Sequence, residues 1–353
     1  MLNRMATKNS KLKISKGKYS VYDLLDRAKK CQENYDYDMA KRYCKRAIEM
    51  EPDNVEVLEN IGSIFMDFGD WDSAKEIFER CVNLSPETGY QKYMYLGQVN
   101  VAEDAVNLYN KGIEIMIKEL NNLPENSEKS NELRRKISSA LCSIVEMYMT
   151  DLCDEPNAEE NCEKYITEAE KYCNTNFEVY QTMASVRMSQ NRQDEAKELI
   201  IKSINLWKDL SVEDENYPEY PIRVNLAKLM LELHMNTEAL SLLQSLLQED
   251  DEIVEVSYLC GWCYYLLGEE PDENGKIDET VRKEAWEDAR LCFINLINRF
   301  GLSSPDDQSV LNHSIELKNK ITSIIGEISN APEPTVEIND DDWEDIDNEM
   351  DLE

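Results

Sequence analysis

The chain has 353 residues, with 72 acidic against 38 basic side chains and a formal net charge of −34. Such a surface repels phosphate backbones and anionic membranes and attracts basic proteins, which excludes direct nucleic-acid binding as a main role. No run of 18 apolar residues occurs, so no membrane-spanning helix is expected, and ten scattered cysteines without a secretory-type leader read as reduced thiols.

In chain order, residues 1–18 hold six basic and no acidic residues. The segment 1–19 reads as a basic disordered N-terminus, with nuclear import as one use for its lysines. Helical periodicity then dominates. Within residues 55–88, "VEVLENIGSIFMDFGDWDSAKEIFERCVNLSPET", Leu58, Ile61, Gly62 and Phe65 precede Ala74, Phe78, Cys81 and Pro86. Small side chains at Gly62, Ala74 and Cys81 let two helices approach; the large ones fill the seam, and Pro86 ends the second helix. The spacing resembles the tetratricopeptide repeat. The preceding 34 residues, 21–54, keep the register with Leu24, Ala28, Cys31, Ala40, Cys44, Ala47 and Pro52.

Later copies degenerate. "YMYLGQVNVAEDAVNLYNKGIEIM" retains Leu96, Gly97, Ala105, Tyr109 and Gly112 with a shortened turn. "ALCSIVEMYMTDLCDEPNAEENCEKYITEAEKY" retains Ile144, Tyr148, Cys162, Ile166 and Ala169 around an acidic insert at Asp151 to Glu155. Residues 177–210 and 220–253 form further units, separated by the loop "SVEDENYPEYP". A last unit starts at Val254, and residues 307–329 form an amphipathic helix suited to capping the open end. The expected architecture is all-α: a tetratricopeptide superhelical solenoid over 20–329, of about seven helical hairpins plus a C-terminal capping helix.

The last unit contains Cys260-Gly261-Trp262-Cys263. A redox dithiol needs its first cysteine at a helix N-terminus after a strand, and a structural zinc site needs four ligands. Neither context is present: Cys260 falls at a mid-helix packing position, and the only histidines, His234 and His313, are isolated. Both cysteines read as core, both histidines as helix-face residues. No phosphate loop or hydrolase motif appears, so no enzyme, metal or cofactor is expected.

The repeat resemblance implies a peptide-holding concave face lined by fixed positions of each first helix. Those positions give Tyr22, Leu25 and Lys29 first, then Glu56, Glu59, Ser63, Met66 and Asp67. They continue with Glu146, Glu178, Gln181, Ser185 and Met188, then Val224, Lys228, Leu231 and Glu232, and end with Glu255, Tyr258, Trp262 and Tyr265. Carboxylates interleaved with aromatic and methionine surfaces suit lysine and arginine side chains. The alternative is an ordinary solvated face. A clamp for a chaperone's C-terminal carboxylate would need more cations than Lys29 and Lys228 provide.

The segment 330–353 reads as an acidic disordered tail. Residues 331–353 hold eleven acidic and no basic residues; Asp340, Asp341, Asp342, Glu344 and Asp345 surround a possible apolar anchor, Trp343. Solubilising the chain and screening a basic partner are its two readings.

"MYLGQ", "EMYMTDLCDEPNAEENCE", "YLCGWCYYLLGEE" and "DDWEDIDNEMDLE" together resemble the fungal assembly chaperones of large-subunit ribosomal protein four, through most of residues 20–353. The resemblance implies a non-enzymatic protein of cytoplasm and nucleus. It would capture one newly made basic ribosomal protein, shield its internal loop and extensions, and accompany it to the nucleus for 60S assembly. Nuclear import receptors are a further candidate partner, and a general tetratricopeptide scaffold is the competing reading.

Overall fold

A computed structural model describes residues 19–214, 216–271, 275–300 and 308–326. Among them every regular element is a helix, fifteen in all. The chain divides into two units, Met1–Tyr217 and Pro218–Glu353. The boundary falls inside the acidic, proline-marked loop.

Five hairpins build the first unit. They pair α1 (Val21–Glu33) with α2 (Tyr37–Met50), α3 (Val55–Asp67) with α4 (Trp71–Leu84), and α5 (Gln91–Val99) with α6 (Ala102–Leu120). Then α7 (Glu128–Met149) pairs with α8 (Ala158–Tyr172), and α9 (Phe177–Ser189) with α10 (Gln193–Asn205). The second unit holds α11 (Tyr220–Glu232) with α12 (Asn236–Glu249), then α13 (Val254–Glu269) with α14 (Glu279–Phe300). A single helix, α15 (Gln308–Ile325), packs on this last pair. Seven hairpins and a final helix are what the repeat pattern predicts.

Local chemistry starts several of these helices. Side chains of Asp36, Asn54, Asp70 and Ser127 accept hydrogen bonds from the backbone N–H groups of Met39, Val57, Ser73 and Ser130. Each satisfies a donor that the first turn leaves open, and replacing one by alanine typically costs about 1 kcal/mol. Packing then follows the small-and-large pattern. Ala28, Ala40, Cys44, Ala47, Ala74 and Cys81 have no exposed surface. Gly62 is obligatory for a steric reason, since a Cβ there would stand 2.5 Å from the buried Phe78 ring. The same contact recurs in the last hairpin, where Gly261 faces Phe293.

Two details depart from the sequence reading, the start of α7 and the place of His234, while the shortened turn between α5 and α6 is as expected. Helix α7 starts at Glu128, about three turns ahead of Ala140 where the repeat begins, and it buries Leu133 and Ile137 on the way. The short α5 is followed at once by α6, leaving Asn100 and Val101 as the whole turn. His234 lies in the turn between α11 and α12 with φ at 56°, not on a helix face; a left-handed residue is needed there to reverse the chain. The segments 1–18 and 331–353, with Asp340, Asp341, Asp342, Trp343, Glu344 and Asp345, lie outside the described residues.

Candidate functional site

In the first unit, the odd-numbered helices present the expected partner-facing positions. Tyr22 Oη donates to Glu56 Oε2 across α1 and α3 at 3.4 Å, and Lys29 Nζ reaches Asn60 Oδ1 at 3.0 Å. Glu56 and Asp67 are exposed, whereas Met66 turns into the core. Glu59 differs from both. It is half-buried, 3.8 Å from the Nζ of Lys92 on α5, and Lys92 itself is wholly buried. Burial pushes the Glu59 carboxyl up against the opposing pull of Lys92, and it pushes the Lys92 ammonium down. The protein thus supplies an internal cation to one of its own groove carboxylates.

Glu146 and Glu178 come from α7 and α9. Ser139 of α7 donates its hydroxyl to Glu178. Glu146 is exposed, yet the protein around it removes part of its hydration. That desolvation, reinforced by the charge of Glu178, raises its carboxyl above the ordinary range. Two like charges held together in partial desolvation are a favourable seat for a cationic side chain, which relieves both penalties at once.

Beside these carboxylates lies a cleft of about 450 Å³ between α5, α6 and α7. Tyr90, Met94 and Tyr109 give it an apolar wall, while Arg135, Lys136, Ser139 and Ser143 line the α7 side. The repeat register of α5 to α7 is degenerate, so positional reading missed these residues. A signal was present in the run Arg134-Arg135-Lys136, a basic cluster in a chain of net −34. Lys136 is engaged by Glu132 at 2.5 Å and by Tyr90 Oη at 3.2 Å, while Arg134 and Arg135 form no ion pair among the described residues.

The expected positions of the second unit are largely occupied by the unit itself. Glu255 is held by Lys228 at 2.6 Å. Tyr258 hydrogen-bonds His313 Nδ1 of α15 at 2.7 Å, and the Trp262 ring lies 5.5 Å from the same imidazole. Tyr265 is buried, stacked between Trp262 and Trp286 at centroid distances of 5.4 Å, and its hydroxyl accepts from Lys320. These aromatics therefore face the capping helix, which covers what a further repeat would otherwise contact. Glu232 remains exposed.

Cys260 and Cys263 lie mid-helix in α13 and are buried. Cys263 Sγ donates to the Asn236 carbonyl at 3.1 Å, and burial pushes its thiol up to about 12. A redox dithiol requires the reverse shift. Among the described residues, no group of three or more potential ligands is placed to hold a metal, and no helix is long and apolar enough to cross a membrane.

Residues 31–54 and 55–88 match the model of the tetratricopeptide repeat. A Schizosaccharomyces pombe protein described as a probable assembly chaperone of rpl4 is 33% identical over 315 residues, 87% of this chain and 91% of the relative. An Emericella nidulans protein of the same description is 30% identical over 342 residues, covering 90% and 86% respectively. The solved structure of an assembly chaperone of RpL4 (Acl4), residues 1–338, is similar in fold with a TM-score of 0.62. It is 33% identical and covers 71% of this chain and 98% of that one.

Proposed function

The chain belongs to the family of assembly chaperones of rpl4, and on that premise we propose that it is a dedicated, non-catalytic chaperone of large-subunit ribosomal protein four. It captures the newly made protein, shields its basic internal loop and extensions, and escorts it from cytoplasm to nucleus for 60S assembly. The observation that carries this reading is the 33% identity held across 91% of the Schizosaccharomyces pombe relative. Physical support comes from the net charge of −34 and from the neighbouring carboxylates Glu146 and Glu178 of the first unit. A basic ribosomal protein binds stray RNA before it meets its own rRNA, and an acidic surface competes for the same cations.

Individual exposed ion pairs contribute roughly 0–1 kcal/mol and weaken with salt, so capture rests on many contacts together. Release follows when rRNA phosphates outcompete the carboxylates. The test is affinity capture with the tagged full chain from cell extract at moderate salt, read by mass spectrometry. One stoichiometric basic partner, ribosomal protein four, is expected. Several partners of ordinary charge without it would replace the chaperone reading with a general scaffold.

A further inference from the structure

The cleft between α5, α6 and α7 has the cations Arg135 and Lys136 in its lining, and the carboxylates of Glu146 and Glu178 stand beside it. On α7, Arg135, Ser139, Ser143 and Glu146 succeed one another at intervals of four, four and three residues, so they lie along one face of the helix. Three of them, Arg135, Ser139 and Ser143, line the cleft. Glu178 joins the row from α9 through the hydroxyl of Ser139. A guanidinium thus stands at one end of the row and the Glu146 carboxylate at the other, with two hydroxyls between them, and Glu178 meets the row at Ser139. Across from this row, Tyr90, Met94 and Tyr109 supply the apolar wall.

The guanidinium is the informative group. In a surface suited to basic segments, a cation is a repulsive element unless something negative is meant to meet it. Carboxylates outnumber cations 72 to 38 in the chain, yet Arg135 forms no ion pair among the described residues. Lys136, next to it, is tied to Glu132 and Tyr90. The cationic end is therefore held in place with one guanidinium left to receive a ligand.

We propose that this cleft binds an extended segment of the client in one polarity, with an acidic side chain on Arg135 and a lysine or arginine at the Glu146–Glu178 end. Arg135 and Glu146 are eleven positions apart, which spans about 16 Å of helix. An extended peptide covers that distance in about five residues. The recognised segment therefore has an acid and a base about four to six residues apart, with apolar side chains between them packing on Tyr109 and Met94. The proposal rests on the chaperone reading and deepens it, because a merely acidic groove would take any basic segment, in either direction.

The two cases predict opposite signs for one substitution. Overlapping peptides spanning ribosomal protein four are screened against the full chain, and the tightest is titrated against wild type, Arg135→Gln, Arg135→Lys and Glu178→Gln, with circular dichroism confirming each fold. Arg135→Gln is expected to weaken binding about five-fold, the usual scale of one charged contact, with Arg135→Lys retaining most of the affinity. A peptide whose acidic residue is changed to glutamine should bind Arg135→Gln and wild type equally. Unchanged or tighter binding by Arg135→Gln, while Glu178→Gln weakens it, overturns the polarity and leaves a simple acidic groove. Absence of any binding between wild type and intact ribosomal protein four is a different result: it removes the chaperone reading, and this inference with it.

Discussion

Glu59 Oε1 lies 3.8 Å from the Nζ of Lys92, an ammonium with no exposed surface that donates to the Thr88 carbonyl. The same Oε1 is buried without a hydrogen-bond partner. The pair joins α3 to α5 through charge. Removing one member leaves the other partly buried and alone, which is costlier than removing both. Lys92→Met should therefore destabilise the first unit by about 1–3 kcal/mol, and adding Glu59→Gln should restore most of that loss. Urea midpoints of wild type, the two single variants and the double variant give the coupling. Strictly additive effects would mean that the two charges do not support one another.

Gly62 faces the Phe78 ring so closely that an added Cβ would stand 2.5 Å from it. Alanine in mid-helix ordinarily stabilises by about 1 kcal/mol over glycine, but overpacking a rigid core costs about 1–3 kcal/mol. The ring wins because Phe78 has no exposed surface to move toward. Gly62→Ala should lower the melting temperature, and Phe78→Leu introduced with it should recover part of the loss. A higher melting temperature for Gly62→Ala would show that the helices separate freely at this contact.

Residues such as Gly62, Ala74 and Cys81 made the hairpins readable, because close helix approach permits few residue types and fixes their spacing. The partner-facing surface was less readable. Repeat positions say which way Tyr258, Trp262 and Tyr265 point, but not that α15 lies over them, since a terminal repeat has no successor in the pattern. Glu255 likewise reads as open until Lys228 is placed 2.6 Å away. Arg135 escaped for the converse reason: it lies on α7 ahead of the repeat's start, where no positional rule applied. Charge composition suggested the kind of partner, while the choice of residues depended on packing between helices distant in sequence.

Thiol chemistry offers a check on the packing role of the Cys-Gly-Trp-Cys segment. Burial pushes Cys44, Cys81 and Cys263 up to about 12, whereas Cys153 is exposed. The thiolate is the reactive form, so native protein treated with an alkylating reagent at pH 8 should be modified first at Cys153. Cys44, Cys81 and Cys263 should react only after unfolding. Mass spectrometry of partially alkylated protein reads the order, and early modification of Cys263 would contradict a buried mid-helix thiol. The Cys260→Ser, Cys263→Ser double variant should still bind the client, with some loss of stability where a hydroxyl replaces a packed thiol.

Glu146 should give opposite pH trends to folding and to client capture. Its carboxyl is raised above the ordinary 4.5, first by desolvation and then by the charge of Glu178 from α9. The folded state therefore holds this proton more tightly than the unfolded chain does. Its stabilising contribution is complete below the unfolded value and is lost as pH rises through the folded one. Glu59, also raised by burial, acts in the same direction. At Asp70, burial pushes the other way but hydrogen bonds from Tyr37 and Ser73 hold the carboxyl low, so its contribution disappears only in more acid solution. As pH rises through the ordinary carboxylate range and just above it, the raised carboxyls thus make the free chain less stable. A cationic client side chain needs Glu146 ionised, so affinity should instead increase over the same range. Glu146→Gln should flatten both dependences, read by urea midpoints for the free chain and by titration with ribosomal protein four for capture. If the substitution flattened stability alone, Glu146 would be a strained residue of the fold with no part in holding the client. If it flattened both, the free chain's cost of ionising Glu146 would be relieved by the cation it receives.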